Sequence, residues 1–195
     1  MILIIYNNLI WDNGDQAISL YSTTGGSVTA KIYNNSTYLN GTLGDNSWFA
    51  ELYIQENIAS LDIRNNIFYA GAGDYTISAV AQSNMTCDYN IHYGPSGNPF
   101  YYNGTERNWS YWTNTLGKDI HGYNSNPLYV NPSADMSIQS TSPAINAGTN
   151  VGLTQDFDGN PVPQGPAPDI GAYEYQGAAQ PDTTPPAPPT GVTVN

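Results

Sequence analysis

The fold of this chain is indicated most clearly by residues 61–68, Leu61-Asp62-Ile63-Arg64-Asn65-Asn66-Ile67-Phe68. Its first four residues alternate between apolar and charged, which is the pattern of a strand with one buried and one exposed face. The asparagine pair that follows suits a tight corner, because asparagine tolerates a left-handed backbone conformation. The stretch therefore predicts a short strand that ends at a corner, after which the chain resumes with an apolar pair.

The same pattern occurs four times in the first half of the chain. The corner asparagines are spaced by 27, 31 and 24 residues, and they are Asn8, Asn35, Asn66 and Asn90. Three positions before each corner stands an apolar residue, and these are Ile5, Ile32, Ile63 and Cys87. Short strands repeated at this period are typical of a solenoid whose rungs stack about 4.8 Å apart. We therefore expect an inward apolar column and a corner ladder of asparagine amides in left-handed conformation.

The composition of the 195-residue chain supports an all-β protein and excludes some partners. The chain contains 23 Asn, 19 Gly and 14 Pro residues, which favour turns, and 16 Tyr residues, which favour strands. Only 4 Lys and Arg residues oppose 16 Asp and Glu residues, so the formal net charge is −12. This charge opposes binding to nucleic acid or to an anionic membrane surface. No stretch approaches the roughly 18 apolar residues of a membrane span, so we expect no membrane insertion.

The single cysteine, Cys87, excludes an internal disulfide. It falls in the predicted inward column, between Met85 and Ile91. We therefore predict that Cys87 is a core residue and not a nucleophile.

The repeats resemble those of right-handed parallel β-helix proteins related to pectate lyases. The resemblance rests on Ile32-Tyr33-Asn34-Asn35 and on residues 61–68. It implies an all-β, right-handed parallel β-helix with three strands in each coil. It also implies a secreted or cell-surface bacterial protein whose partner is polysaccharide. Because residues 2–5 begin in mid-rung, we interpret residues 1–93 as N-terminally truncated coils.

Residues 108–176 resemble the choice-of-anchor Q segment that ends many secreted bacterial β-helix proteins. The matching motifs are Trp112, Gly117-Lys118-Asp119-Ile120-His121, Asn126-Pro127-Leu128-Tyr129-Val130-Asn131-Pro132, Ser142-Pro143-Ala144-Ile145-Asn146-Ala147-Gly148, Asp156-Phe157-Asp158-Gly159-Asn160-Pro161 and Asp169-Ile170-Gly171-Ala172-Tyr173-Glu174-Tyr175. Gly122, Tyr129 and Val162 depart from the usual Ser, Phe and Arg. This resemblance identifies architecture rather than chemistry.

The rest of the second half is predicted to be irregular. From Gly94 to Leu116 the repeat is lost, and proline and glycine indicate a loop. We assign residues 94–176 to this loop and the C-terminal β-helix segment. Residues 177–195 are proline-rich, which predicts an extended linker. Gly191-Val192-Thr193-Val194 resembles the first strand of a fibronectin type III module, so we expect other modules in the same longer chain.

The outward positions of the repeats supply the candidate catalytic residues Lys31, Asp62, Arg64 and Asp88. A polysaccharide lyase needs a base and a cation that neutralises a uronate carboxylate, and a glycoside hydrolase needs two carboxylates. This patch could serve either scheme. Weak ion pairs between neighbouring rungs of a solvated sheet are the alternative interpretation.

Three aromatic residues are candidates for carbohydrate binding: Tyr33, Tyr101 and Trp109. An aromatic ring can pack against the apolar face of a pyranose. The alternative is that the aromatics of the 94–116 loop cover the side of the coils.

Two further groups of residues are candidates for a metal site and for an acid–base pair. Asp156 and Asp158 with Gly159 have a spacing that suits Ca²⁺, but the rest of a calcium loop is absent. For His121 we predict a buried structural role, with an acid–base pair with Asp119 as the alternative.

Two functions of different classes fit these features. The first is the C-terminal part of a secreted β-helix protein that binds or processes polysaccharide on a lyase or glycoside hydrolase scaffold, with the catalytic coils partly upstream. The second is a non-catalytic surface, adhesive or structural stalk that displays neighbouring modules. The sequence leaves open whether the protein is an enzyme.

Overall fold

The structure is a computed structural model that describes residues 1–21, 28–42, 49–55, 58–94 and 96–177. The predicted linker beyond residue 177 and the strand predicted at residues 191–194 lie outside the described residues.

Three parallel sheets wind into a β-solenoid of about three turns. The first sheet contains β1 (Ile2–Tyr6), β4 (Thr29–Tyr33), β7 (Ser60–Arg64) and β10 (Met85–Asp88). The second contains β2 (Leu9–Trp11), β5 (Ser36–Tyr38), β8 (Ile67–Tyr69), β11 (Ile91–Tyr93) and β14 (Tyr123–Asn124). The third contains β3 (Ile18–Leu20), β6 (Ala50–Ile54), β9 (Tyr75–Ala79) and β12 (Phe100–Tyr102), with β13 (Thr105–Arg107) added antiparallel. The predicted all-β solenoid is confirmed.

The predicted inward column is confirmed residue by residue. Ile5 pairs with Ile32, Ile32 with Ile63, and Ile63 with Cys87 on successive strands of the first sheet. Ile32 and Ile63 are fully buried in the core that the three sheets enclose. Burying one such side chain contributes about 1.5–3 kcal/mol, so stacked apolar columns supply much of the stability of the coils.

The predicted corner ladder is also confirmed. The side-chain amide of Asn8 donates to Asn35 Oδ1 over 2.8 Å, and the Asn35 and Asn66 amides continue to Asn66 and Asn90 over 2.9 Å. The backbone N–H of each donor residue bonds the same oxygen. At each step of the ladder, two hydrogen bonds therefore join one rung to the next at the corner.

The left-handed conformation falls on the residue before the ladder, which corrects the prediction. These residues have φ values of 53, 51, 58 and 62°, and they are Asn7, Asn34, Asn65 and Tyr89. The two asparagines of a pair therefore have different roles. The first adopts the left-handed conformation that turns the chain, and the second directs its side-chain amide towards the neighbouring rung.

The stretch from Gly94 to Leu116 is more regular than predicted. Its Phe100–Tyr102 segment continues the third sheet as β12, and Tyr111–Thr115 forms a π-helix. Trp112 on this helix is fully buried, and its ring stacks on Phe100 with centroids 4.2 Å apart. These aromatics therefore close the C-terminal end of the core. In the described part of the chain, no helix has the length and apolar character needed to cross a membrane.

The C-terminal segment, residues 126–176, folds back over the outer face of the second sheet. It begins with the antiparallel pair β15 (Tyr129–Asn131) and β16 (Asp135–Ile138). Its apolar side chains form a second core with Ile67 and Ile91, which point outward from the coils.

The first asparagines of the corner pairs hold this segment in place. The Asn34 amide donates to Asp169 O and Gly171 O over 3.3 and 3.2 Å. Asn65 Oδ1 accepts from the Thr149 backbone N–H over 2.9 Å. Within the residues that the structure describes, the segment therefore covers the outside of the second sheet and not that of the first.

Candidate functional site

The outward face of the first sheet brings the predicted polar residues together. Register places Lys31 beside Asp62, Tyr33 beside Arg64, and Arg64 beside Asp88 on neighbouring rungs, as predicted. We call the group formed by Lys31, Tyr33, Asp62, Arg64, Asp88 and His121 the outer strip. On strands about 4.8 Å apart, Lys31 and Asp62 form one column, and Tyr33, Arg64 and Asp88 form a second column two residues further along each strand. His121 lies next to Asp88 at the end of the second column.

Asp62 is the centre of one hydrogen-bonded group in the outer strip. Its Oδ2 accepts from the Tyr33 hydroxyl over 2.6 Å, and its Oδ1 accepts from Arg64 Nε over 2.7 Å. The contact with Arg64 lies within one strand, so it differs from the predicted ion pairs between rungs. Burial, followed by the hydrogen bond to Asp62, raises the pKa of Tyr33. Tyr33 therefore acts as a neutral donor, and at 7% exposure it offers little ring surface for stacking.

His121 lies at the other end of the outer strip, and the prediction of a buried structural histidine is wrong. Its side chain is 54% exposed. Its Nδ1 lies 2.8 Å from Asp88 Oδ2, and its backbone N–H donates to Asp88 Oδ1 over 2.9 Å. The ring stacks on Tyr89 at 4.8 Å. The partner is Asp88 rather than Asp119 because the turn at residues 119–122 directs His121 outward along the edge of β10.

Asp88 determines which nitrogen of His121 carries the proton in the neutral ring. A carboxylate accepts hydrogen bonds, so Nδ1 donates and Nε2 is left as the unprotonated nitrogen. Among the described residues, none forms a hydrogen bond with Nε2. The arrangement can therefore accept a proton from a molecule that reaches this exposed face.

The buried histidine of this protein is His92, which sequence reasoning missed. Its Nε2 lies 3.1 Å from Asp119 Oδ2, and its Nδ1 lies 2.9 Å from Thr76 Oγ1. Trp112 Nε1 and Cys87 Sγ donate to the same Asp119 oxygen over 2.8 and 3.1 Å. No signal near His92 reveals these contacts, because its partners come from distant parts of the chain.

The electrostatics of this cluster fit a structural role. Burial by itself raises the pKa of Asp119, but the electrostatic interaction and the hydrogen bond with His92, together with the hydrogen bonds from Trp112 and Cys87, hold the pKa below its ordinary value. Burial, with the nearby Asp119 charge, raises the pKa of the Cys87 thiol well above its usual range. Cys87 is a buried core residue, as predicted. The side-chain atoms of Cys87, His92 and Asp119 that could ligate a metal ion lie within 4.8 Å of one another. These atoms already form hydrogen bonds within the cluster.

Glu51 on β6 is a second buried acid that the sequence does not reveal. It is fully buried and accepts from the backbone N–H and side-chain amide of Asn40 over 2.9 and 2.7 Å. Asn40 in turn accepts from the Asn13 amide over 2.8 Å, so Glu51 ends a shorter ladder at another corner. Burial raises the pKa of Glu51 to about 8.

The candidate calcium ligands sit in a self-contained turn. Asp156 Oδ1 accepts from the backbone N–H groups of Asp158 and Asn160 over 3.0 and 2.8 Å. Its Oδ2 accepts from the Asn160 amide and the Glu174 N–H, each over 3.0 Å. These hydrogen bonds explain the spacing of Asp156, Asp158 and Gly159 as that of a turn. Calcium binding at Asp156 and Asp158 stays a prediction.

The three carbohydrate-stacking candidates lie apart. Tyr33 is on the first sheet, whereas Tyr101 is on the third sheet with its ring 5.4 Å from Tyr75. Trp109 packs against the end of the core, 6.2 Å from Phe100. The structure therefore does not combine them into one platform.

The fold defines the class of this protein as a parallel β-solenoid. Searches with family models, with curated proteins and with solved structures found no match to the chain. The choice-of-anchor Q and fibronectin type III resemblances therefore stay predictions.

Proposed function

We propose that this protein binds extracellular polysaccharide along the outer strip. The observation that supports the proposal is a double row of cationic, anionic and hydroxyl side chains on neighbouring rungs, of which Lys31 is exposed and Asp62, Arg64 and Asp88 are half-buried. A polymer can follow such a row, and its hydroxyl groups can both donate to carboxylates and accept from Arg64 or Lys31.

Tyr6 extends the row and gives it an aromatic surface. It pairs in register with Tyr33, and it is 49% exposed. An exposed ring next to hydrogen-bonding groups suits the alternating apolar and polar faces of a sugar. Because the whole chain carries a net charge of −12, we expect neutral polysaccharides to bind better than acidic ones.

The proposal includes an extracellular bacterial location and a scaffold that processes polysaccharide. The competing function is a non-catalytic stalk, and one observation favours it. Asp62 is already hydrogen-bonded to Tyr33 and Arg64, so part of the outer strip is engaged within the protein.

Binding measurements on variants test the proposal. Isothermal titration with neutral and acidic polysaccharides should show weak binding that prefers the neutral polymers. We expect Arg64→Ala to weaken binding about 10-fold, the effect of losing a charged hydrogen bond. Tyr6→Ala should also weaken it. Tyr21→Ala is the matched control, since Tyr21 is 58% exposed outside the first sheet. Binding by none of the polymers, or equal binding by all three variants, would favour the stalk.

A further inference from the structure

His121 and Asp88 form an arrangement that binding alone does not require. A hydrogen-bonded carboxylate fixes the ring, the ring is exposed, and Nε2 faces away from the bond that orients it. We propose that His121 is the general base of a hydrolytic site that removes acyl ester groups from a neutral polysaccharide bound on the outer strip. Asp88 is a positioning residue, and the inference rests on the proposed binding function.

Three contacts hold Asp88 in the orientation that this role needs. Its Oδ1 accepts from the backbone N–H of Tyr89 over 3.0 Å and from that of His121 over 2.9 Å. Its Oδ2 is then directed at His121 Nδ1. The ring of Tyr89 packs parallel to the imidazole, with an interplanar angle of 14°. Backbone bonds and stacking together restrict the imidazole to one plane, which keeps the base in position for proton transfer.

The chemistry of the outer strip favours ester hydrolysis over cleavage of the sugar chain. Hydrolysis of a glycosidic bond needs one carboxylic acid and one carboxylate. Asp62 is engaged by Tyr33 and Arg64, and Asp88 is engaged by His121, so neither is placed as a free acid. Elimination requires an anionic uronate polymer, which the charge of −12 opposes. Ester hydrolysis requires only a base that activates water and a group that stabilises the oxyanion.

The reaction is balanced without a cofactor. His121 Nε2 takes a proton from water as the water oxygen bonds to the ester carbonyl carbon. The carbonyl oxygen becomes an oxyanion, and Arg64, one rung from Asp88, supplies positive charge on that side of the outer strip. The carbon–oxygen bond to the sugar then breaks, and the sugar oxygen takes the proton from Nε2. The products are a carboxylic acid and a free sugar hydroxyl, and His121 returns to its neutral form.

The test measures acetate release from acetylated glucomannan by the full chain, alongside binding of acetylated and chemically deacetylated polymer. We expect His121→Asn to lower the rate at least about 100-fold, the typical contribution of a general base. The folded state should be unaffected, since the His121 side chain is exposed. Asp88→Asn should lower kcat while KM changes less, and it should move the acidic limb of the profile of rate against pH. Loss of a merely structural residue would not move that limb. Tyr21→Ala should release acetate at the original rate.

The outcomes separate this inference from the binding proposal. Binding of polymer with no acetate release overturns the inference and leaves polysaccharide binding in place. Acetate release that His121→Asn leaves unchanged also overturns it, as does an unsaturated sugar product. If polysaccharide does not bind, the proposed function fails as well.

Discussion

Asp119 accepts from Asn90 in the same way that each corner asparagine accepts from the rung before it. Its Oδ1 receives the Asn90 backbone N–H over 3.0 Å and the side-chain amide over 2.8 Å. The ladder of neutral amides therefore ends on a carboxylate. Because Oδ2 of the same group binds the Trp112 indole, one side chain joins the corner ladder to the aromatic end of the core.

Replacing Asp119 should destabilise the protein through this junction. Asp119→Asn can keep one acceptor oxygen, but its amide nitrogen would then face the donors Trp112, Cys87 or Asn90. We expect a loss of about 1–3 kcal/mol in unfolding free energy, the cost of buried donors left without acceptors. Urea denaturation of Asp119→Asn beside Asp158→Asn, whose side chain is exposed, measures the difference. Equal urea midpoints for the two variants would contradict a stabilising role of Asp119 at the junction between the ladder and the aromatic end of the core.

Glu51 should make stability depend on pH. Burial raises its pKa in the folded state from 4.5 to about 8, so the folded protein binds this proton more tightly than the unfolded chain does. Its contribution is fully present below pH 4.5 and is lost as the pH rises through about 8. We expect the unfolding free energy to fall over this range, by on the order of a few kcal/mol.

The test for Glu51 compares urea denaturation curves at several pH values with those of Glu51→Gln. The variant should lose most of this pH dependence, whereas Glu106→Gln, at an exposed position on β13, should keep it. A wild-type stability that rises between pH 5 and 8 would contradict the assignment.

Ile63 and Ile4 offer a matched test of the inward column. Ile63 is fully buried, whereas Ile4 on the same sheet points outward and is exposed. Ile63→Ala should cost about 2–5 kcal/mol through lost burial and the cavity left behind. Ile4→Ala should change stability by less than about 0.5 kcal/mol. Thermal and urea unfolding of both variants check the difference. Similar losses of stability would contradict the assignment of Ile63 to the inward face of the sheet and of Ile4 to the outward face.

Asn34 should control how firmly the C-terminal segment is held. Asn34→Gly keeps the left-handed backbone available. It removes the amide that bonds Asp169 and Gly171, together with the Oδ1 that accepts from the Asn65 amide over 3.1 Å. Amide hydrogen exchange of residues 169–172 should become faster, with exchange in the first sheet little changed. Asn103→Gly is the control, because Asn103 has a similar φ of 50° in an exposed hairpin. Unchanged exchange in residues 169–172 would show that other contacts hold the segment.

The candidate site was only partly predictable from the sequence. The neighbours Lys31 and Asp62 follow from the repeat, because a parallel register converts equal positions in the repeat into adjacent positions in the sheet. His121 carries no repeat signal, since it lies 33 residues from Asp88 beyond the last regular rung. The likeness of Gly117-Lys118-Asp119-Ile120-His121 to a known motif indicated architecture but not which side chain would be buried.

The coils, their register and the corner ladder can all be predicted from the sequence. The alternation of apolar and polar residues specifies the strands, and the asparagine pairs specify the corners. Equivalent residues of successive repeats then stack on one another, which sets the register. Three other features become visible only in the folded molecule: Asp119 ends the ladder, Trp112 closes the core, and the C-terminal segment covers the second sheet. These contacts join groups that are distant along the chain and belong to no repeat. Their partners are chosen by burial and hydrogen-bond geometry once the coils have formed.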